Sequence, residues 1–268
     1  MQRLLASVLL IFFAISTASA DEAFFDSDGI RIRYLDLGKA DGPPVLLIHG
    51  YMASADLNWR IPGVVAAIED TYRVILIDNR GHGRSDKPTD VADYGPKMAD
   101  DQIRLLDHLA VKKAHVVGYS MGGMITLFLA AHHPERMLSA GVTGMGWLNK
   151  EVNEGSRAPS NKSPRPRLVL PKATSPALKA CITAFPQLSI SRDELVTLKV
   201  PMRVIIGSAD PLYESRVKPL TEVRPDIPVV LIDGGNHLNC MFRGEFKQAV
   251  RDFLDAQPTP KAALSETN

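Results

Sequence analysis

The amino-acid sequence predicts an α/β fold with a mostly parallel central sheet and helices on both of its faces. Short apolar runs alternate with amphipathic stretches along most of the 268 residues, the pattern of strands and helices that take turns. The central runs are apolar at every position, as strands buried on both faces are. Hydrophobic residues make up 45% of the chain and charged residues 23%, values typical of a globular protein.

Seven segments are predicted strands. The first, Ile30–Leu37, alternates apolar and polar residues, which indicates a half-buried strand at the sheet edge. The other six are short and continuously apolar: Val45–Ile48, Val74–Ile77, His115–Val117, Ala140–Thr143, Val204–Ile206 and Val229–Ile232. Helical periodicity falls between them, over Leu57–Ile68, Met98–Leu109, Met121–Ala131, Glu214–Val223 and Glu245–Leu254.

One stretch interrupts this alternation. Between Thr143 and Val200 there is no clear strand pattern, and prolines recur from position 159 to position 186. A stretch of this length in a compact domain is usually a functional excursion. We therefore expect a small lid insertion at about 145–199 within a single domain, 21–258, followed by a flexible tail, 259–268.

Residues 1–20 have the pattern of an export signal. Arg3 is the only charged residue, an apolar run covers Leu4–Ile15, and the small residues of Ala18–Ala20 precede a predicted cleavage site. The run is short for a membrane span, which needs about 20 apolar residues. We predict a periplasmic or secreted protein with no stable membrane span after cleavage; an uncleaved anchor is the alternative.

Charge and cysteine content exclude several classes of protein. The chain has 31 basic and 30 acidic residues, whereas a protein that coats nucleic acid needs a basic excess. Two cysteines cannot form a four-cysteine zinc site, and the sequence predicts no metal and no organic cofactor. The chain carries no signal for an oligomeric state.

The charge balance conceals a local excess. Residues 155–190, in the expected insertion, contain six basic residues and no acidic one. A solvated loop is one interpretation. A positive rim that steers anionic substrates towards the site is the other.

The segment Gly118–Gly122 reads Gly-Tyr-Ser-Met-Gly, between a predicted strand and a predicted helix. A tight strand-to-helix turn needs glycine on either side of its central residue, because a Cβ there would collide with neighbouring backbone. The turn exposes the Ser120 hydroxyl at a helix N-terminus, where developing negative charge is stabilised. Ser120 is therefore the candidate nucleophile.

A serine hydroxyl needs a base and an orienting carboxylate. Asp210 and His237 follow two later predicted strands, at the edge where parallel sheets place ligands. Asp233 is a competing acid, but it precedes His237 on the same loop. Six other histidines have structural interpretations: His49 and His82 in glycine turns, His108 on a helix, His115 at a strand start, and His132 and His133 at the far end of the nucleophile helix.

The backbone N–H groups of Tyr51 and Met121 are the predicted oxyanion donors. Met121 follows the nucleophile directly, and Tyr51 follows a predicted strand and a His-Gly turn. Such donors stabilise the negative oxygen of a tetrahedral intermediate.

These motifs together resemble the α/β-hydrolase superfamily over nearly the whole chain after residue 20. Beside the Gly118–Gly122 turn, the family typically has His-Gly after its third strand, here at His49 and Gly50. It also has the pattern Asp-x-Arg-Gly-x-Gly-x-Ser after the fourth strand, here Asp78–Ser85, continuing into Asp-Lys-Pro. Four motifs in the family's order are much more specific than one.

The resemblance implies a Ser-His-Asp triad, and it implies a structural role for Asp78 and Arg80. Asn236 departs from the glycine that the family commonly has before the histidine, which puts the shape of that loop in doubt. Members that open epoxides or displace halide carry aspartate at the position of Ser120, so acyl transfer is implied. The resemblance is to its serine esterase and haloperoxidase-like esterase branch.

The predicted function is therefore an exported serine hydrolase that cleaves a small-molecule carboxylic ester or lactone through an acyl-enzyme. A thioesterase or carbon–carbon bond hydrolase, and a non-catalytic binding or signalling protein on the same fold, are the alternatives. An apolar substrate pocket is expected from residues that flank the predicted catalytic loops: Met52, Met145, Trp147, Leu212 and Leu238.

Cys181, in the insertion, and Cys240, near His237, form a disulfide in one interpretation. Two buried free thiols are the equal alternative, because a disulfide needs Cα atoms about 5.5 Å apart.

Overall fold

A central sheet of eight strands organises the molecule. The computed structural model describes residues 22–155, 173 and 175–258. The strands are β1 (Ala23–Ser27), β2 (Ile30–Gly38), β3 (Pro44–Ile48), β4 (Arg73–Ile77), β5 (Ala114–Tyr119), β6 (Met137–Thr143), β7 (Met202–Gly207) and β8 (Val229–Ile232). Their spatial order is β1-β2-β4-β3-β5-β6-β7-β8.

In this spatial order, the last six strands, which include β3, run parallel to one another. The first two strands, β1 and β2, are antiparallel to their neighbours. The seven predicted strands are all present, and the mainly parallel sheet is confirmed. One expectation about the edge is wrong: β1, which was not predicted, pairs with β2 and takes the edge position. Its sequence is short and mixes polar with apolar residues, so it carries little strand signal.

Seven α-helices surround the sheet in the part of the chain that the structure describes. They are α1 (Pro96–His108), α2 (Met121–His132), α3 (Lys150–Gly155), α4 (Pro176–Ala184), α5 (Arg192–Thr197), α6 (Lys218–Val223) and α7 (Gly244–Asp255). Within the described ranges, none is long and apolar enough to cross a membrane.

Both faces of the sheet are buried, which explains the continuously apolar strands. On β3, Leu46 and Ile48 belong to one core cluster, together with residues of α1 and α2. Val45 and Leu47, which alternate with them, belong to a second cluster that contains Phe246 and other residues of α7. Because alternate side chains of a strand point to opposite faces, the helices lie in two layers around the sheet.

The prediction of a regular helix over Leu57–Ile68 is wrong. A π-helix covers Asp56–Arg60, and turns follow it to position 71. Pro62 and Gly63 explain the change, because proline removes an N–H and glycine here has a φ of +81°. The predicted helix over Glu214–Val223 likewise begins as a π-helix, Tyr213–Val217, and continues as α6.

The described part of the expected insertion contains no strand of the sheet. It holds α3, α4 and α5, and a single parallel bridge joins Asn149 to Ile190. Residues 156–172 and 174 lie outside the described residues, as do the predicted signal, 1–20, and the tail, 259–268. The lid, the signal and the basic rim therefore stay predictions.

Candidate active site

The loop between β5 and α2 holds Ser120 in a backbone conformation that is rare for a residue with a side chain. Its φ is +54° and its ψ is −112°. A Cβ on Gly118 would lie 2.0 Å from the carbonyl oxygen of Gly122, and a Cβ on Gly122 would lie 2.0 Å from that of Ile48. Both glycines are thus required by close backbone contact, and the strained turn presents the serine at the start of α2.

Ser120, His237 and Asp210 form a continuous hydrogen-bonded row. The Oγ of Ser120 lies 2.9 Å from Nε2 of His237. Nδ1 of the same imidazole lies 2.7 Å from Oδ2 of Asp210. Since a carboxylate accepts hydrogen bonds, Nδ1–H is the donor to it, which leaves Nε2 free to accept the serine proton. All three residues are buried. The row can move a proton from the serine hydroxyl to the imidazole.

Asp210 is fixed independently of the histidine. Its Oδ1 accepts a hydrogen bond from the backbone N–H of Leu212 at 2.9 Å, so each carboxylate oxygen has a defined partner. The competing acid, Asp233, is exposed to solvent. None of the six other histidines hydrogen-bonds to Ser120 or Asp210 in the described structure.

The loops that carry Asp210 and His237 are joined by their backbones. Ala209 N–H donates to the carbonyl oxygen of Gly235 at 2.9 Å. A Cβ on Gly207 would lie 2.1 Å from that same oxygen, so only glycine fits at the end of β7. Tyr119 also holds the histidine loop, because its buried hydroxyl donates to the carbonyl oxygen of His237 at 2.8 Å. The histidine is therefore held from both its side chain and its backbone.

Asn236 makes its own turn within this loop. Its Oδ1 accepts the N–H groups of Leu238 and Asn239 at 2.9 and 3.0 Å, and its own N–H donates to Oδ1 of Asn239 at 2.8 Å. The amide side chain thus closes the loop by hydrogen bonds. The departure from glycine at this position leaves His237 in contact with both partners.

Two backbone amides lie beside the Ser120 side chain and are the candidate oxyanion donors. A Cβ on Gly50 would lie only 3.3 Å from Cβ of Ser120, so the peptide that ends in the Tyr51 N–H passes close to the serine. The Met121 N–H opens α2 directly after it. Among the described residues, neither N–H has a hydrogen-bond acceptor within the protein. Both are free to donate to a negative oxygen at the serine.

His49 and Asn58 fix the Gly50 peptide. Asn79 N–H donates to Nε2 of His49 at 2.9 Å, so the proton of this imidazole is on Nδ1, which donates to the Gly50 carbonyl at 2.7 Å. Burial lowers the pKa of His49 and keeps it neutral. Asn58 Oδ1 accepts the Gly50 N–H at 2.7 Å. The sequence did not single out Asn58 or Tyr119, because neither has a fixed identity in the motifs.

The turn at Asp78 is a structural junction. Oδ1 of Asp78 accepts the N–H of Ala55 at 2.8 Å, and Oδ2 accepts the N–H of Arg84 at 2.9 Å and Nη1 of Arg33 at 3.1 Å. Burial opposes ionisation, but these donors lower the pKa of Asp78. Arg80 in the same turn pairs with the buried Asp101 through two hydrogen bonds of 2.7 Å. In the described part of the chain, no side chain of this turn hydrogen-bonds to Ser120, His237 or Asp210.

The five residues predicted to line a pocket are divided between core and surface. Met145 and Trp147 are buried in the core, and the Trp147 indole donates to the carbonyl oxygen of Ile190 at 2.9 Å. Leu212 is half-buried. Met52 is exposed and Leu238 is 76% exposed. Contact of these residues with a substrate stays a prediction.

The interpretation of Cys181 and Cys240 as a disulfide is wrong: both are free, buried thiols. Cys181 packs in the core cluster that contains Met121, and Cys240 packs in the cluster that contains Phe246. These clusters lie on different faces of the sheet, so the thiols are separated by it. Burial raises the pKa of each thiol to about 12.

The family model for the alpha/beta hydrolase fold matches residues 43–151, the region from β3 to the start of α3. This chain has the α/β-hydrolase fold and is similar to the α/β-hydrolase superfamily over that region. The matches to two curated relatives of more than 30% identity span only 38% and 36% of those relatives' own length. In the described residues, no group of three or more His, Cys, Asp or Glu side chains is placed to hold a metal ion.

Three similar proteins differ in their named activities. A dihydrolipoyllysine-residue acetyltransferase component of the acetoin cleaving system from Pseudomonas putida is 34% identical over 147 residues, which is 53% of this chain but only 38% of the relative. A 3-oxoadipate enol-lactonase 2 from Acinetobacter baylyi is 26% identical, over 68% of this chain and 77% of the relative. A solved membrane phospholipase A is 26% identical with a TM-score of 0.65, over 88% of this chain and 86% of that one.

Proposed function

We propose that this protein is an exported serine hydrolase that cleaves a carboxylic ester or lactone by way of an acyl-enzyme. The observation that carries the proposal is the hydrogen-bonded row of Ser120, His237 and Asp210, with Nε2 at 2.9 Å from the serine oxygen and the carboxylate on the opposite nitrogen. This is the arrangement of a serine nucleophile, its general base and the group that orients the base.

In the first half of the proposed reaction, Ser120 Oγ attacks the ester carbonyl carbon while His237 Nε2 takes the hydroxyl proton. The carbonyl oxygen becomes negative and accepts hydrogen bonds from the N–H groups of Tyr51 and Met121. Collapse of this intermediate breaks the bond to the leaving oxygen. His237 returns the proton to that oxygen, and an alcohol departs from the acylated serine.

Water completes the cycle. His237 takes a proton from a water molecule, whose oxygen attacks the acyl carbon and forms a second tetrahedral intermediate. The bond to Ser120 Oγ then breaks, and the proton on His237 returns to the serine. Asp210 holds Nδ1–H throughout and stabilises the imidazolium that forms twice in each turnover. The net reaction consumes one water and releases an acid and an alcohol from an ester, or a single hydroxy acid from a lactone.

Two observations favour an ester or lactone over the other substrates of this fold. The two relatives of 26% identity with the larger coverage are named as a lactonase and a phospholipase. The apolar run at Leu4–Ile15, with the small residues that follow, fits an export signal. Thioesters of coenzyme A and the intermediates of ring cleavage are cytosolic, so an exported enzyme would not meet them.

A fluorophosphonate probe tests the proposal directly. The wild-type protein is expected to be labelled on Ser120, and Ser120→Ala is expected not to be labelled. Absence of labelling in the folded wild type, or labelling that survives the substitution, would contradict the proposal and favour a non-catalytic binding protein.

Substrate class is tested by steady-state hydrolysis of p-nitrophenyl esters of graded chain length beside simple lactones and thioesters. A thioester preference would replace the ester in the proposal. Mass spectrometry of the protein recovered from the periplasm or medium tests export, with a mature chain that begins at Asp21 as the expected result.

A further inference from the structure

Helix α4 rests on the two residues whose amides are the proposed oxyanion donors. The Tyr51 hydroxyl donates to the carbonyl oxygen of Leu178, in the first turn of α4, at 3.0 Å. The Cys181 thiol, one turn further along, lies 3.7 Å from the sulfur of Met121. One helix therefore touches the side chains of both Tyr51 and Met121, although these residues lie 70 positions apart in the sequence.

The contact to Tyr51 has more than one component. Its ring meets the ring of Phe185, directly after α4, edge to face with centroids 5.4 Å apart. On the other side it meets the imidazole of His82 at 5.8 Å, again near perpendicular. The aromatic ring is thus held between the Asp78 turn and the end of α4, and the hydroxyl ties it to the helix backbone.

Helix α4 is itself well defined at its start. Ser175 caps it, with its hydroxyl accepting the N–H of Leu178 at 3.2 Å. The carbonyl of the same residue, Leu178, accepts the Tyr51 hydroxyl. On the inner side, Cys181 is fully buried and burial raises its pKa to about 12. It is therefore a neutral thiol whose S–H donates towards the Met121 sulfur.

We propose that α4 is a positioning element for the oxyanion hole, and that the Tyr51 hydroxyl and the Cys181 thiol are its two points of attachment. The inference rests on the proposed function. A contact between a side chain and α4 restricts the backbone of the residue that carries the side chain. In both Tyr51 and Met121, this backbone carries the N–H that is the proposed oxyanion donor. Positioned donors act where charge develops, in the transition state. Loss of an attachment is therefore expected to lower kcat and to leave KM nearly unchanged.

Tyr51→Phe removes the hydroxyl and keeps the ring contacts. Complete loss of an oxyanion donor lowers turnover about 100-fold to 1000-fold, and a donor that is present but less well held is expected to cost about 10-fold in kcat. KM for a soluble p-nitrophenyl ester is expected to stay within about twofold. Tyr34→Phe is the matched control, because it removes a tyrosine hydroxyl that contacts His108, away from the Ser120 row, at 3.2 Å; its kcat is expected to be that of the wild type.

Inhibitor binding separates a positioning role from a structural one. A trifluoromethyl ketone forms a tetrahedral adduct with the serine and needs the oxyanion hole, whereas the product acid does not form such an adduct. Tyr51→Phe is expected to weaken the ketone by the same factor as kcat and to leave the product acid within about twofold. Equal weakening of both, or a rise in KM with kcat unchanged, would overturn the inference.

Cys181→Ala tests the second attachment in an independent variant, which also serves if Tyr51→Phe folds poorly. It is expected to lower kcat about threefold, with KM unchanged and the same pattern with the two inhibitors. Wild-type turnover and fluorophosphonate labelling report on the proposed function alone. If the wild type turns over substrate and is labelled, and Tyr51→Phe and Cys181→Ala have wild-type kcat, only the role of α4 is refuted.

Discussion

Replacement of Ser120 by glycine is expected to stabilise the fold while it removes the proposed nucleophile. The serine has a φ of +54° and a ψ of −112°, a region that residues with a Cβ avoid and glycine adopts freely. A residue held in such a conformation costs about 1–3 kcal/mol. Glycine at this position removes that strain, which raises the free energy of unfolding by the same amount. The greater entropy of its unfolded chain lowers the free energy of unfolding by about 0.5–1 kcal/mol.

The comparison that isolates this strain is Ser120→Gly against Ser120→Ala. Both variants lose the hydrogen bond to His237, and only the alanine variant keeps a Cβ in the strained turn. The glycine variant is expected to have the larger free energy of unfolding, by about 1 kcal/mol, which corresponds to a Tm about 2–4 °C higher in a chain of this size. Urea unfolding, followed by the fluorescence of the buried Trp59 and Trp147, measures the difference.

Ser139 provides the control for this comparison. It is buried in β6 and is absent from the residues with positive φ, so glycine there is expected to be less stable than alanine by about 0.5–1 kcal/mol. Equal stability of the two Ser120 variants, or a lower stability of the glycine variant, would refute the argument that the turn stores strain.

Three further predictions concern the orienting acid, a buried imidazole and the thiols. Asp210→Asn is expected to lower kcat for ester hydrolysis about 10⁴-fold with little change in KM. The amide can donate to Nδ1 of His237 and thereby favour the tautomer with its proton on Nε2, and a loss below tenfold would contradict the role of the acid. Burial lowers the pKa of His115 to about 4 from 6.5, so the unfolded chain binds its proton first as the pH falls, and stability is lost between about pH 6.5 and pH 4. At pH 5 the free energy of unfolding is lower by about 2 kcal/mol, at 1.36 kcal/mol per pKa unit. Urea unfolding at pH 5 and pH 7 measures this loss, and in the variant His115→Asn the difference between the two pH values is expected to be smaller by that amount. An unchanged difference would show that another group is responsible. The thiols of Cys181 and Cys240 have a pKa of about 12 in place of 9.0. In the folded protein they are expected to react with a thiol reagent about 1000-fold more slowly than exposed thiols do. After unfolding without reductant, two thiols per chain are expected, and a count of zero would restore the disulfide.

Most of the sheet and the Ser120 row follow from local sequence patterns. A strand buried on both faces, such as Val45–Ile48, has no polar position and is recognisable from four residues. Ser120 lies in a turn where a Cβ on either flanking glycine would lie 2.0 Å from a backbone oxygen, so the two glycines are recognisable in the sequence. Asp210 and His237 follow predicted strands, so their shared edge of the sheet was predictable from topology alone.

The sequence was less informative where long-range contacts decide the structure. The apolar periodicity of Leu57–Ile68 fits a helix, but Pro62 and Gly63 change its hydrogen bonding. The separation of Cys181 from Cys240 depends on which face of the sheet each element covers, and spacing along the chain does not encode this. Tyr119 occupies a variable position of the Gly118–Gly122 turn, yet its hydroxyl holds the histidine loop.

The strand order determines when the proposed active site can be completed during folding. Ser120 and His237 are separated by 117 residues, and the base becomes available only when β7 and β8 have added to the sheet beside β6. Contacts of such large sequence separation form late, since the entropy of closing a long loop must be overcome first. A chain that has assembled β3 to β6 and α2 therefore contains a formed serine turn with no base beside it. During refolding, the recovery of the proposed hydrolase activity should lag behind the protection of the β3 and β5 backbone amides from hydrogen exchange, because the site is complete only after the last strands have docked.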